Sequence, residues 1–87
     1  MARRTDLAPL PGLRAFAAAG RLQSFREAAL ELGVTPSAVS HQVKALEVWV
    51  GAPLFKRGVR HVRLTAEGAA LSHSLNKAFD AIDTALD

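Results

Sequence analysis

Apolar residues recur at helical spacing around residues 24–32. Positions i, i+3, i+4 and i+7 there are Phe25, Ala28, Ala29 and Leu32, a pattern that predicts one apolar helix face. Ser24 is a favoured N-cap residue, and Glu27 three residues later completes a capping box. Gly33 is expected to end this helix because glycine accepts the left-handed backbone conformation required just after a helix.

A second short helix is predicted to follow directly. Thr35 is its N-cap, and Pro36 occupies the first helical position, where a missing N–H has no cost. Its apolar stripe is Val39, Val43, Leu46 and Val50. The opposite face carries Ser37, Ser40, His41 and Lys44. Two short helices joined by a tight turn predict a helix-turn-helix at about residues 24–44, in which the second helix presents its N-terminal residues to the DNA major groove.

A further helix is predicted before this pair. It begins between Pro9 and Pro11 and ends near Gly20, and its apolar positions are Leu10, Leu13, Phe16 and Ala17. Residues 1–8 are expected to form a flexible tail.

Extended structure is predicted after the third helix, which Gly51 closes and Pro53 prevents from restarting. Residues 54–56 and 62–64 are β-like runs separated by the basic segment RGVRH. This arrangement predicts a hairpin with a basic tip, the wing of a winged helix-turn-helix. Residues 9–64 are therefore expected to form the winged helix-turn-helix domain, with its wing at about residues 54–64.

Residues 65–87 are predicted to form a long C-terminal helix capped by Thr65. Its apolar positions form a narrow seam: Leu71, Leu75, Phe79, Ile82 and Leu86. We favour a dimerisation seam, since a helix of this length would extend past a small body. The alternative is that the seam packs back on the same domain. The predicted fold class is thus mainly α, a winged helix-turn-helix of three helices and a small β-hairpin, followed by a dimerisation helix.

Charge is distributed unevenly along the 87 residues. The net charge is +3, and ten of the eleven Lys and Arg residues lie in residues 1–64, against one in residues 65–87. A basic N-terminal part favours a polyanionic partner.

The sequence has no cysteine, which excludes a disulfide framework and a thiolate metal site. It also lacks an apolar run of membrane-spanning length, so we expect no membrane partner and a cytoplasmic location.

Enzyme chemistry has little support in the sequence. His41, His61 and His73 lie on three different predicted elements and do not have the spacing of a metal site. No glycine-rich phosphate loop and no local arrangement of a nucleophile with its base is present. We therefore expect neither catalysis nor a cofactor.

Three segments together resemble the LysR-type transcriptional regulators: SFREAALELGVTPSAVSHQVKALE, VGAPLFKRG and RLTAEG, in this order. The segment SAVSHQV is similar to the branch of glycine-cleavage and β-lactamase regulators. The resemblance implies a winged helix-turn-helix with a linker helix that pairs two subunits, and a tetrameric intact regulator. It also implies a C-terminal domain that binds a small-molecule effector and that is absent from these 87 residues.

The predicted DNA contacts fall into two groups. Ser37, Ser40 and His41 are expected to read base edges. The remaining contacts are expected mainly at the phosphate backbone, from Ser24, Arg26, Thr35, Pro36, Lys44, Arg57 and Arg60. Gln42 is expected to contact either a base or the backbone. Arg57 is included because the resemblance implies a basic wing residue that meets the backbone or the minor groove. Two departures from the family pattern are Pro36-Ser37 in place of Gln-Pro and His41 in place of Arg, which leave the operator sequence open.

The expected function is sequence-specific binding of a homodimer to an interrupted palindromic site in double-stranded promoter DNA. Two alternatives remain. The chain could be a helical protein-interaction module, for which charge reversal at Arg57 and Lys44 would leave the main activity intact. It could also be a nonspecific nucleoid-type DNA binder, for which all duplexes would bind with similar affinity at equal salt.

Overall fold

A computed structural model of the chain describes residues 6–57 and 61–87. The helices of this part are α1 (Leu10–Leu22), α2 (Phe25–Leu32), α3 (Pro36–Val50) and α4 (Ala66–Leu86). Helix α1 lies at the centre and packs against each of the other three. The predicted fold class, a mainly helical protein containing a helix-turn-helix, is confirmed.

The predicted helix ends around the helix-turn-helix are confirmed by their hydrogen bonds. Ser24 Oγ accepts from Glu27 N–H at 3.0 Å, and Thr35 Oγ1 accepts from Ala38 N–H at 3.1 Å. Gly33 adopts the left-handed conformation (φ 70°) at the end of α2. Because these interactions join residues close together in the chain, the sequence alone predicts where each helix begins and where α2 ends.

The core is formed by one cluster of side chains from α1, α2, α3 and the segment after α3. Phe16, Val39, Leu46 and Leu54 are its largest fully buried members. The ring of Phe55 makes edge-to-face contacts with Phe16 and Phe25, each with ring centroids 5.3 Å apart. The wing segment is therefore anchored to the helical body by an aromatic residue, and its position relative to α3 is set by the core.

Two expectations for α1 are corrected. The helix continues past Gly20 to Leu22, because Gly20 is an interior packing position: a Cβ built there would lie 2.7 Å from Ser72 Oγ of α4. Leu10, which the pattern places on the apolar face, is 58% exposed. Leu10 is the first residue of α1, and the buried core residues of this helix begin at Ala15.

The predicted wing is also corrected in its pairing. Within the described residues it consists of an isolated antiparallel bridge between Phe55 and Leu64, with Lys56 N–H donating to the carbonyl of Arg63 at 2.8 Å. Continuous strands over 54–56 and 62–64 are not formed there. One reason is that the N–H groups of Leu54 and Phe55 donate to a side chain of α3 instead of to a strand partner. The hairpin tip, which includes Arg60, and residues 1–5 of the predicted tail lie outside the described residues.

Helix α4 is tied to both the wing segment and α1. Thr65 Oγ1 accepts from Gly68 N–H at 3.0 Å, which confirms the predicted cap, and donates to the Pro53 carbonyl at 2.9 Å. Further along, the amide of Asn76 donates to the carbonyls of Ala17 (3.2 Å) and Ser72 (2.9 Å). The first half of α4 is thus a structural part of the domain.

Candidate nucleic-acid interface

Helix α3 presents a continuous polar face to solvent. Ser37, Ser40, His41 and Lys44 are all exposed, as are the N-terminal residues Thr35 and Pro36. The opposite side of α3 carries the buried residues Val39, Val43 and Leu46. The packing of α3 therefore leaves the predicted base-reading residues accessible along one side of the helix.

Gln42 differs from the other predicted contacts on α3. It is half-buried and lines a small hollow of about 140 Å³ together with Pro11, Arg14 and Val34. The hollow lies where the start of α1 meets the turn of the helix-turn-helix. Gln42 thus lies at the border between the exposed polar face of α3 and helix α1.

An open hollow of about 570 Å³ brings α3 and the wing segment together, and we call it the α3–wing hollow. His41, Lys44 and Val48 line it from α3, and Arg57 lines it from the wing segment. Arg57 is 65% exposed in its side chain. The structure therefore places Arg57, predicted from the family pattern, beside two of the residues predicted from the helix itself.

The other predicted phosphate contacts lie elsewhere. Ser24 and Arg26 are at the start of α2, where Arg26 is exposed and the Ser24 hydroxyl caps the helix. Neither residue lines the α3–wing hollow. On the far flank of the wing, Lys56, His61 and Arg63 line a separate hollow of about 420 Å³. The basic residues of the described part therefore form several groups.

Glu47 is a functional candidate that the sequence reasoning missed. It lies in the last turn of α3 and is only 8% exposed. Its Oε2 accepts from the N–H groups of Leu54 (2.7 Å) and Phe55 (3.3 Å), and its Oε1 accepts from Arg57 Nη2 at 2.6 Å. The signal was present in the spacing, because Glu47 follows Val43 by four residues and so falls on the apolar stripe of α3.

The predicted dimer seam on α4 is divided by the structure. Leu71 and Leu75 pack against the core of their own domain, as the alternative interpretation expected for the whole seam. Phe79 is half-buried, whereas Ile82 is 50% and Leu86 80% exposed. The apolar positions available to a partner are therefore concentrated toward the C-terminal end of α4.

Residues 10–69 match the family described as bacterial regulatory helix-turn-helix protein, lysR family. This match covers α1, the helix-turn-helix, the wing segment and the start of α4. The chain belongs to the LysR family. The family resemblance seen in the three sequence segments is thereby confirmed.

Curated LysR-family relatives are similar over nearly the whole chain. The HTH-type transcriptional activator AmpR of Citrobacter freundii is 51% identical over 79 residues, which are 91% of this chain and 27% of AmpR. The glycine cleavage system transcriptional activator homolog of Haemophilus influenzae is 44% identical over 81 residues, 93% of this chain and 27% of the relative. The chain thus spans about a quarter of the length of these relatives, both of which are named as transcriptional activators.

A solved structure has the same fold in contact with DNA. The chain is similar to BenM_DBD in its complex with benA site 1 DNA, with a TM-score of 0.80 and 34% identity over 88% of this chain and 86% of that one. The chain accordingly shares the fold of this DNA-bound domain. Among the residues that the structure describes, no group of three or more His, Asp or Glu is placed to hold a metal ion. None of the helices in the described ranges has the length and apolar character needed to cross a membrane.

Proposed function

We propose that this LysR-family domain binds specific sites in double-stranded promoter DNA as a homodimer, as the DNA-binding part of a bacterial transcriptional regulator. The observation that carries the proposal is the exposed polar face of α3, with His41 and Lys44 sharing a hollow with Arg57 of the wing. A helix laid in the major groove by this face would have the wing beside the flanking backbone. The similar BenM_DBD is solved in complex with catB site 1 DNA, which supports binding of DNA by this fold.

Each predicted contact has a distinct task in this proposal. Ser37, Ser40 and His41 read base edges, each good contact contributing about 1–3 kcal/mol of discrimination. Arg26, Lys44 and Arg57 bind phosphates, as do the capped helix starts at Ser24 and Thr35. Pro36 begins α3 and lies between Thr35 and Ser37 at the exposed N-terminal end of the helix. Gln42 and Arg60 complete the predicted set, Gln42 from its place beside α1 and Arg60 from the wing tip.

The remaining parts of the proposal concern the intact protein. We infer a cytoplasmic regulator without catalytic activity, since its task is to bind promoter DNA. It assembles as a tetramer, and a small-molecule effector acts through a C-terminal domain beyond these 87 residues. We divide the chain into a tail (residues 1–8), the DNA-binding domain (residues 9–64) and a linker and dimerisation helix (residues 65–87).

Selection of bound duplexes from a random DNA pool tests the proposal, and it should be run at two salt concentrations. We expect enrichment of an interrupted palindrome whose half-sites are separated by about one helical turn or a multiple of it. Arg26, Lys44 and Arg57 alone give six phosphate-binding side chains in a dimer, so affinity should fall at least about a thousandfold between 50 and 200 mM salt. Enrichment of no sequence, with binding that disappears as salt rises, would identify a nonspecific binder. Failure to bind any duplex would direct attention to a protein partner.

The dimer is expected to depend on the exposed end of α4. Replacing Ile82 and Leu86 together by serine should raise the dimer dissociation constant at least about tenfold, because each buried aliphatic side chain contributes about 1.5–3 kcal/mol. The monomer fold should be unaffected, since both side chains are at least half exposed. Sedimentation equilibrium gives the dissociation constant, and circular dichroism gives the helix content.

A control for this prediction is available on the same helix. Leu75→Ala should lower the thermal unfolding temperature, because Leu75 packs against the domain core. If the Ile82 and Leu86 variant stays as dimeric as the original chain, the subunits pair through another surface.

A further inference from the structure

The carboxylate of Glu47 occupies an unfavourable position for a negative charge. It is nearly buried in the last turn of α3, where the carbonyl end of the helix dipole repels anions. Its burial is compensated by two backbone N–H groups and by the guanidinium of Arg57. In the described part of the chain, every buried side-chain nitrogen or oxygen has a hydrogen-bond partner. The wing segment thus supplies these three hydrogen-bond donors to the carboxylate.

Arg57 has further N–H donors that the contact with Glu47 does not use. A guanidinium carries five N–H donors in a fixed planar arrangement, and one of its nitrogens, Nη2, binds Glu47 Oε1 at 2.6 Å. The side chain remains 65% exposed and lines the α3–wing hollow with Lys44. Arg57 can therefore donate to a phosphate in this hollow while it stays bound to Glu47.

We propose that Glu47 is a positioning residue that holds the Arg57 guanidinium toward a DNA phosphate and thereby increases affinity for DNA. This inference rests on the proposed DNA-binding function. A free arginine side chain loses much of its rotational freedom when it binds a phosphate. Because Glu47 already restricts Arg57, less of that freedom is lost on binding, and the wing meets the backbone in a fixed orientation relative to α3.

Charge alone makes the opposite prediction. A carboxylate beside a phosphate-binding surface repels the DNA, so its neutralisation should strengthen binding. The positioning role predicts that neutralisation weakens binding. Glu47→Gln separates the two effects by the sign of the change, because glutamine keeps the size of the side chain and an acceptor for Leu54 and Phe55 while it removes the negative charge.

The test uses the 87-residue chain and a duplex selected with the original protein, with fluorescence anisotropy as the readout. We expect Glu47→Gln to weaken binding about 5- to 20-fold. The slope of log affinity against log salt concentration should also become less steep, by the amount that corresponds to about one phosphate contact per subunit. Arg57→Met should change the slope by the same amount. In an Arg57→Met background, Glu47→Gln should cause no further loss, since the residue it positions is gone.

Two controls accompany this experiment. Glu67→Gln makes the same change in net charge at an exposed position of α4 outside the α3–wing hollow, and its affinity should equal that of the original chain or exceed it slightly. Fluorescence of the single tryptophan, Trp49, and circular dichroism report whether each variant is folded at the assay temperature.

The outcomes are distinguishable. Binding by Glu47→Gln that equals or exceeds that of the original chain would overturn the positioning role and leave the DNA-binding proposal intact. An equal loss of affinity with and without Arg57 would also overturn it, since Glu47 would then act only on the structure of the wing. If the original chain binds no duplex, the DNA-binding proposal fails, and the inference fails with it.

Discussion

Replacing Ser40 and Lys44 together by glutamate is expected to lower the affinity of the chain for its selected DNA site at least about a hundredfold. Both side chains lie on the exposed face of α3, and the substitutions place two negative charges opposite the phosphates and base edges. Like charges in contact cost several kcal/mol, and each 1.4 kcal/mol is about a factor of ten. Glutamate is a good helix former, so α3 should remain helical. Fluorescence anisotropy with labelled duplex measures the loss.

The matched control is Ser74→Glu with Lys77→Glu on α4. It removes the same positive charge and adds the same negative charges, again at exposed positions, but on a helix that we do not expect to enter the groove. The DNA affinity of this control variant should fall by much less, because only the overall electrostatic field of the protein changes. Equal losses in the two double variants would mean that net charge determines binding, as in a nonspecific binder. Unchanged binding by the α3 variant would exclude α3 as the surface that meets the duplex.

Gly68→Ala is expected to destabilise the fold by about 2 kcal/mol or more. This is the opposite of the stabilisation that alanine usually gives in place of glycine inside a helix. A Cβ at Gly68 would lie 2.0 Å from the carbonyl oxygen of Leu54 and 2.9 Å from its carbonyl carbon. Leu54 cannot retreat easily, because its side chain is in the core and its carbonyl accepts from Thr65 N–H at 3.1 Å. The unfolding temperature should therefore fall by roughly 10 °C in a domain of this size.

The sign of the effect again makes the experiment decisive. Helix propensity alone predicts that alanine in place of glycine stabilises α4 by about 1 kcal/mol. Ser74→Ala on the exposed side of the same helix tests this contribution and should raise the unfolding temperature slightly. Thermal unfolding followed by circular dichroism compares the two variants. A higher unfolding temperature for Gly68→Ala would show that α4 is not packed against the backbone of Leu54 in solution.

Features that depend on neighbouring residues were predictable from the sequence. The caps at Ser24, Thr35 and Thr65 are bonds between residues three apart, and Gly33 ends α2 through its own backbone conformation. The polar face of α3 follows from helical periodicity alone. Local rules were also enough to place the base-reading candidates, since one face of a short amphipathic helix must face solvent when the other is in the core.

Features that depend on contacts across the chain were predicted wrongly or missed. Gly20 has the local signature of a helix end, yet α1 continues to Leu22, and Ser72 of α4 packs against Gly20. The apolar seam on α4 is regular in sequence, but α1 and the core cover its first part and leave Ile82 and Leu86 exposed. A periodic pattern shows which positions share a face, and only the tertiary structure shows how far another element extends along that face.

The sequence by itself determined the helix-turn-helix, its caps, its exposed polar face and, through three motif segments, the LysR family. Only the tertiary structure decided that Glu47 links α3 to the wing segment through Leu54, Phe55 and Arg57. The reason is physical. Helix starts and faces are set by interactions within a few residues, whereas the partners of a buried carboxylate are chosen by how the chain folds back on itself. That packing also decided which basic residues share a surface with α3.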